Sequence, residues 1–257
     1  MSGPAEGLAV DGLTVRFGRG VGATVALDNV SVTVPAGHTV GLVGESGSGK
    51  STLAKAILGI VPIAAGRVRL DGTEVSGLGH RQRHAFLRRV QMIPQDPYSS
   101  LNPRRTVGQT LAEALDPVRA RVRSHRAEIE AALAEVALPG EAIDRYPHEF
   151  SGGQRQRIAI ARALITRPEV VIADEITSAL DVSVQAEVLR LLGRLRHELN
   201  LTMLFISHNL AVVEQVSDEV VVLYHGEVVE SGAVGDVFTR PASDYTRTLL
   251  AAVPGQR

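Results

Sequence analysis

The stretch Gly44-Glu45-Ser46-Gly47-Ser48-Gly49-Lys50-Ser51 matches the pattern of a phosphate-binding loop, in which two glycines stand five positions apart and are followed by Lys and Ser. Glycines let the backbone turn tightly, so several N–H groups can point at the β-phosphate of a nucleotide. Lys50 is then expected to reach the β- and γ-phosphates, and the Ser51 hydroxyl is expected to bind Mg²⁺. The sequence therefore predicts a nucleotide site at this loop.

The residues on either side of the loop support this interpretation. The apolar run from Thr39 to Val43 predicts a buried strand, and a helix is predicted from Lys50 to about Leu58. The positive end of that helix's dipole would favour an anion at the loop. The lysines of this arginine-rich chain are Lys50 and Lys55. A compact ammonium fits between phosphates better than a planar guanidinium, which favours Lys50 as a phosphate ligand, whereas Lys55 is expected on a solvated helix face.

Length and composition indicate a globular chain. Its 257 residues suit one large domain, or a domain with an added lobe, and 44% of them are hydrophobic and 21% charged. The net charge of −1 gives no electrostatic reason to expect a nucleic acid partner. The absence of cysteine excludes disulfides, thiolate metal sites and thiol nucleophiles. No apolar run approaches the roughly 18 residues of a spanning helix, and Met1 to Gly7 lacks the blocks of a signal peptide, so any membrane role is expected to be peripheral.

An antiparallel β layer is predicted before and after the phosphate loop. Alternating residues favour strands at 13–17 and 30–34, and the turn Asp71-Gly72 predicts a hairpin at 68–75. Phe17 ends the first of these strands. Its ring could stack on an adenine, or it could be a core residue of the strand, and the sequence favours neither interpretation.

A long helical segment is predicted after a short buried strand at 90–93. Residues 96–103 have a turn-rich sequence, so they are expected to form a loosely held loop in which Tyr98 and Leu101 face a partner. From Thr106 to about Tyr146 the apolar residues recur at helical spacing without a strand signal. This segment is predicted to be a helical lobe inserted between two parts of a sheet.

Two carboxylates end a second apolar run, at 170–175. Parallel strands are apolar throughout, and ligands lie beyond their carboxyl ends. Asp174 is therefore expected to lie beside Lys50 and Ser51 and to hold Mg²⁺, directly or through water. Glu175, one residue later, can face the attacking water.

The remaining elements continue the alternation of helices and strands. Ser151-Gly152-Gly153-Gln154 begins a helix whose N–H groups could meet an anion, although a simple capping turn has the same pattern. Asp181 is a natural N-cap for a helix at 182–199. Further strands are predicted at 202–206, just before Ser207-His208, and at 220–223 and 228–229, with two short helices within 234–250. This order predicts an α/β fold with a parallel sheet.

Taken in order, these motifs resemble the ATP-binding subunit of an ABC transporter. The motifs are the phosphate loop, Gln95, Ser151 to Gln154, Asp174-Glu175, Ser178 to Asp181 and His208, and the similarity covers nearly the whole chain. Three further stretches resemble the branch that imports peptides and nickel, namely Gln95 to Pro103, Tyr146 to Phe150 and Asp244 to Leu250. The family usually has proline where this chain has Ile176.

The resemblance implies roles for particular residues. Glu175 would polarise the attacking water, His208 would contact the γ-phosphate, and Gln95 would bridge Mg²⁺ or water to the loop that contacts the membrane subunit. Ser151 and Gly153 would bind the γ-phosphate of ATP held by the opposite ATPase subunit. The expected nucleotide-binding set is Phe17, Gly44, Glu45, Ser46, Gly47, Ser48, Gly49, Lys50, Ser51, Thr52, Ser151, Gly152, Gly153, Gln154 and Asp181, the last also at the dimer seam. The expected metal ligands are Ser51, Gln95 and Asp174.

A P-loop ATPase core with a mainly parallel sheet, an antiparallel β layer and an inserted helical subdomain is the fold that the resemblance implies. The expected domain is 8–253, with core and β layer at 8–95 and 168–233, helical subdomain at 96–167 and C-terminal helices at 234–253. The implied reaction converts ATP and water to ADP and phosphate, and it powers import of peptides, nickel or related small solutes. The subunit is expected to lie at the cytoplasmic face of the inner membrane, as a peripheral protein.

The implied partners are transmembrane permease subunits, a second ATP-binding subunit (the same or a homologous chain) and, indirectly, an extracytoplasmic solute-binding protein. A non-transport ABC ATPase is the alternative, although such members usually carry long insertions, coiled coils or zinc cysteines. A small-molecule kinase or GTPase would leave Ser151 to Gln154 and His208 unexplained.

Overall fold

The computed structural model describes residues 7–18 and 20–252, so Val253, the last residue of the expected domain, lies outside the described residues. It divides the chain into two units, Met1–Leu87 with Leu201–Arg257, and Arg88–Asn200. The strands are β1 (Leu8–Phe17), β2 (Thr24–Val34), β3 (Thr39–Val43), β4 (Ala65–Leu70), β5 (Thr73–Glu74), β6 (Val90–Ile93), β7 (Val170–Asp174), β8 (Thr202–Ile206), β9 (Glu219–Tyr224) and β10 (Glu227–Ala233). The helices are α1 (Lys50–Ile57), α2 (His80–Arg89), α3 (Pro97–Ser100), α4 (Val107–Leu115), α5 (Arg126–Glu135), α6 (Gly152–Leu164), α7 (Val182–Leu199), α8 (Leu210–Val216), α9 (Val234–Thr239) and α10 (Asp244–Ala251).

The first unit contains an antiparallel sheet with the strand order β2-β1-β4-β5. Leu8 pairs with Val34 on one side and with Leu70 on the other. The side chains that point inward are apolar and fully buried, as the alternation predicts for a sheet with one face on the core. Phe17, at the end of β1, is 44% exposed, so the interpretation of this residue as a core residue is wrong.

The same unit contains parallel strands, in which β8 and β9 flank β3 and β10 runs antiparallel to β9. Every residue of β3 and β8 is buried, which is typical of parallel strands covered on both faces. The register pairs Leu42 with Ile206 and Val43 with Val222. The segments that follow these three strands therefore leave the sheet at one edge.

The second unit consists of helices and the parallel pair β6–β7. Its core is formed by apolar side chains of α4, α5, α6 and α7, and the buried residues of α7 lie between Val188 and Leu195. The 3₁₀ segments Val122–His125, Gly140–Asp144 and Pro147–Glu149 connect the helices.

The α/β architecture with parallel strands is confirmed, and the bounds of β3, β6, α7 and β8 agree with the expected ones. Two segments differ. The helical pattern of residues 106–146 is interrupted at Asp116 and Pro117, because the residue before a proline is disfavoured in the helical conformation and proline donates no N–H. The expected loop 96–103 contains the short helix α3, which begins where the Tyr98 N–H donates to Asp96 Oδ1 at 2.8 Å. No helix within the described residues is long and apolar enough to cross a membrane.

Candidate nucleotide-binding site

The phosphate loop lies between the buried strand β3 and helix α1, and its shape requires glycine at both ends. A Cβ on Gly44 would lie 2.1 Å from the Leu223 carbonyl oxygen, and Gly44 has a φ of +149°. A Cβ on Gly49 would lie 2.9 Å from the Ala26 carbonyl oxygen, at a φ of +110°. The loop is therefore held against the ends of β2 and β9 by backbone contacts that any side chain would displace.

The Lys50 ammonium is buried inside the loop. Nζ donates to the carbonyl oxygens of Gly44 and Glu45, both at 2.8 Å, and to Ser48 Oγ at 3.4 Å. A buried cation needs such acceptors to offset the loss of hydration. These contacts hold a positive charge at the centre of the loop, where a phosphate would meet it.

The N-terminus of α1 fits an anion. Its N-cap, Gly49, supplies no side-chain hydrogen bond, whereas the N-caps of α4, α6 and α7 are Thr106, Ser151 and Asp181, which all accept from a backbone N–H of the first turn. First-turn N–H groups without a side-chain cap suit phosphate oxygens. Ser51 and Thr52, in this turn, are half-buried.

His208 lies at the same edge of the sheet as the phosphate loop. Leu42 of β3 pairs with Ile206 of β8. The phosphate loop begins two residues after Leu42, and His208 stands two residues after Ile206, so both leave the sheet at the same level. The Asn209 N–H donates to Ser207 Oγ at 3.0 Å, and the Asn209 side chain caps α8. The turn is thus anchored on both sides of His208, whose side chain is exposed.

Gln95 and Glu175 are in direct contact in the second unit. Ile93 of β6 pairs with Ala173 of β7, and each functional residue follows two positions later. Gln95 Nε2 donates to Glu175 Oε2 at 2.9 Å and to Ser178 Oγ at 3.3 Å. Asp174, the last residue of β7, is buried at 5% exposure. The parallel register therefore brings three of the expected site residues to one end of this strand pair.

The backbone at Glu175 adopts a left-handed conformation with a φ of +46°. Such conformations are unfavourable for a residue with a side chain and persist where the surroundings enforce them. Here the Ser178 N–H and Oγ both donate to the Glu175 carbonyl oxygen, at 3.1 and 2.9 Å. Ile176, the next residue, is buried at 1% exposure and anchors the same turn.

Ser151 and Gln154 form a capping box at the start of α6. The Gln154 N–H donates to Ser151 Oγ at 3.3 Å, and the Ser151 N–H donates to Gln154 Oε1 at 3.0 Å. The capping turn is thus present, and the exposed Ser151 hydroxyl can still donate outward. A Cβ on the buried Gly153 would lie 2.4 Å from Val184 Cγ1, which shows how closely α6 approaches the start of α7.

Asp181 caps α7 through the Val184 N–H at 2.9 Å and accepts from the Ser183 hydroxyl at 2.7 Å. These two hydrogen bonds hold the pKa of Asp181 below its ordinary value, and the one from the Val184 backbone has the larger effect. The exposed carboxylate is therefore charged at neutral pH, at the end of the Ser178–Asp181 segment.

The loop after Gln95 is firmly anchored, contrary to the expectation of a loosely held loop. Leu101 is buried at 2% exposure, so it does not face a partner, whereas Tyr98 is 62% exposed. The Arg155 guanidinium of α6 lies over the Tyr98 ring at 3.9 Å, and Arg162 of α6 donates to the Ser100 carbonyl oxygen. Burial lowers the pKa of Arg162. Neither arginine could be singled out from the sequence, because α6 also contains Arg157 and no local pattern distinguishes the three.

Comparison with known proteins gives one family. The model of the ABC transporter family matches residues 27–178. A putative peptide import ATP-binding protein of Brucella ovis is 48% identical over 248 residues, which are 96% of this chain and 78% of the relative. The oligopeptide transport ATP-binding protein OppF of Escherichia coli K12 is 47% identical over 231 residues, 89% of this chain and 69% of the relative.

Solved structures show the same fold. The dimeric post-hydrolysis structure of the ATP-binding cassette MJ0796, bound to ADP and Pi, aligns with a TM-score of 0.78 at 26% identity, over 88% of this chain and 98% of the other. CbiO1 from Clostridium perfringens, part of the ABC transporter complex cbiONQ, aligns with a TM-score of 0.80 at 25% identity, over 98% and 97%.

Proposed function

This chain belongs to the ABC transporter family, and we propose that it is the ATP-hydrolysing subunit that powers import of peptides through partner membrane subunits. The proposal is based on the geometry of the phosphate loop. Its two ends can be occupied only by glycine, the Lys50 ammonium is buried inside it, and the N-terminus of α1 that follows has no side-chain cap. The assignment of peptides as the cargo is based on the similarity to peptide import subunits. The same similarity does not favour the alternative of a non-transport ATPase. Residues 8–253 are proposed to act as one ATPase domain.

ATP binding is assigned to the loop and the first turn of α1. Lys50 would exchange the Gly44 and Glu45 carbonyl oxygens for β- and γ-phosphate oxygens, a change that pairs the buried cation with an anion. Ser51, Gln95 and Asp174 are the proposed Mg²⁺ ligands, since Mg²⁺ prefers oxygen donors such as these side chains supply. The ion would neutralise charge on the phosphate oxygens.

Hydrolysis requires that a water oxygen attack the γ-phosphorus while the bond to the ADP oxygen breaks. Glu175 is proposed to orient and polarise that water. The Gln95 amide fixes one oxygen of Glu175 at 2.9 Å, which directs the carboxylate. His208 would donate to a γ-phosphate oxygen.

The start of α6 is proposed to act on a second subunit. Ser151 and Gly153 would bind the γ-phosphate of ATP held by the opposite chain, identical or homologous, and Asp181 would line the seam. The dimeric state of the similar cassette MJ0796 supports this arrangement. Permease subunits are the proposed membrane partners, with a solute-binding protein acting indirectly, and the proposed location is the cytoplasmic face of the membrane.

The test is Glu175→Gln in the transporter assembled with its permease subunits. We expect ATP binding to persist and turnover to fall by about 10²–10⁴-fold, the usual contribution of a positioned base. Glu141→Gln, at an exposed glutamate of the same unit, is the matched control and should keep wild-type turnover. Turnover of Glu175→Gln within twofold of the control would reject the assignment.

A further inference from the structure

We propose that Tyr245, in the C-terminal helix α10, is a positioning residue for the phosphate loop, because its hydroxyl holds the peptide group between Gly44 and Glu45. This inference rests on the proposed function and adds a residue outside the loop to the ATP site. It also gives the Asp244–Leu250 stretch, singled out in the sequence but without an assigned role, a task in nucleotide binding.

A single peptide group links Tyr245 to Lys50. The Glu45 N–H donates to the Tyr245 hydroxyl oxygen at 3.0 Å. The carbonyl oxygen of the same peptide group belongs to Gly44 and accepts from Lys50 Nζ at 2.8 Å. The tyrosine therefore restrains one end of the group whose other end positions the phosphate-binding cation.

This peptide group needs a restraint that its own residues do not provide. Gly44 has a φ of +149°, and glycine rotates freely where other residues are confined. When a phosphate draws Lys50 away from the Gly44 carbonyl oxygen, that end of the peptide group loses its partner. The hydrogen bond to Tyr245 would then keep the group from flipping, so the loop retains the shape that receives the phosphate.

The fold restrains both the Tyr245 ring and the start of the helix that carries it. It lies against the Tyr224 ring with centroids 4.1 Å apart, and Tyr224 directly follows Leu223, whose carbonyl oxygen limits the space at Gly44. The start of α10 is tied to β10, because the Glu230 carboxylate accepts from the Ala242 N–H at 2.7 Å and from the Ser243 N–H at 3.0 Å. The hydroxyl is thereby held in place by the fold.

The state of the hydroxyl fits this role. Burial raises the pKa of Tyr245 above its ordinary value, so the phenol stays neutral at physiological pH. A neutral phenol oxygen accepts the Glu45 N–H without placing a negative charge beside the phosphates, and its own proton remains available for donation.

Tyr245→Phe removes the hydroxyl and keeps the ring that contacts Tyr224. In the purified full chain, calorimetry with ATP and Mg²⁺ should show a dissociation constant raised about 2- to 12-fold, the range that corresponds to the net value of one hydrogen bond. The Tm should fall by no more than about 6 °C, because the loss of one hydrogen bond has a small effect in a chain of this size. In the assembled transporter, KM for ATP should rise while kcat stays near wild type, and hydrogen exchange of the peptide that contains Glu45 should become faster.

Tyr224→Phe is the matched control, since it also removes one hydroxyl from the same ring pair, and it should bind ATP as the wild type does. Unchanged affinity in Tyr245→Phe would overturn the inference while leaving the proposed function intact. An equal loss in both variants, or a loss that accompanies a large fall in Tm, would overturn it as well, because the effect would then be structural. Absence of ATP binding by the wild type would instead reject the proposed function, and this inference with it.

Discussion

Gly153 and Gly152 are neighbours in α6, yet the structure predicts opposite effects of replacing them with alanine. At Gly153 a Cβ would lie 2.4 Å from Val184 Cγ1, far inside the ordinary contact distance of about 3.5–4.0 Å between carbon atoms. At Gly152 the nearest atom is Leu180 Cδ2, at an ordinary 3.8 Å. Both glycines lie in the first turn of a helix, so both substitutions reduce the entropy of the unfolded chain alike.

The expected magnitudes follow from these two contributions. Replacing a helical glycine by alanine stabilises by about 0.4–1 kcal/mol where the conformation suits it. Inserting a methyl group into a packed contact costs about 1–3 kcal/mol, and the β-branched Val184 has few rotamers with which to withdraw. Gly153→Ala should therefore destabilise by up to about 2.6 kcal/mol, and Gly152→Ala should stabilise by up to about 1 kcal/mol.

A double-mutant cycle isolates the contact. In a Val184→Ala background the obstructing methyl groups are gone, so Gly153→Ala should become neutral or stabilising, with a coupling energy of about 1–3 kcal/mol. Equilibrium urea unfolding of the full chain, followed by circular dichroism, measures all the variants. If Gly153→Ala stabilises the wild-type background as much as Gly152→Ala does, the close approach of α6 to the start of α7 is wrong.

Three further perturbations test other parts of the molecule. Thr106→Ala removes the N-cap that accepts from the Gln109 N–H at 3.2 Å and should lower the free energy of unfolding by about 1 kcal/mol, measured by urea unfolding; a change below about 0.3 kcal/mol would contradict the cap. The side-chain hydrogen bond from Arg69 holds the pKa of Asp11 below its ordinary value. The ionised Asp11 therefore stabilises the fold fully at pH values above its ordinary pKa, and this stabilisation is lost as the pH falls through the lowered pKa of the folded state. The Tm difference between wild type and Asp11→Asn should accordingly be full near pH 6 and shrink below about pH 4, and a difference that grows with acidification would reverse the sign of this reasoning. Ser100→Cys introduces the sole thiol of the chain and should crosslink to a permease subunit with an ATP-dependent yield, whereas transport without any crosslink would remove the loop from the coupling surface.

Patterns that are local in the chain were predictable from the sequence. The phosphate loop, the carboxylates at the end of β7 and the bounds of β3 and α7 each follow from the chemistry of adjacent residues, such as glycine turns, apolar runs and N-caps. The order of apolar runs along the chain also predicted that Gln95 and Glu175 stand at the ends of strands. The hydrogen bond between their side chains, however, depends on the register that pairs Ile93 with Ala173.

Contacts between distant segments were decided by the tertiary structure alone. The Tyr245 hydroxyl accepts from Glu45, 200 residues earlier in the chain, and the Arg155 guanidinium covers Tyr98. Leu101, expected to face a partner, is instead buried. Side-chain type sets what a residue can bind, but its partner is fixed only when the packing of helices and strands brings two surfaces together, and no periodicity or spacing along the chain encodes that meeting.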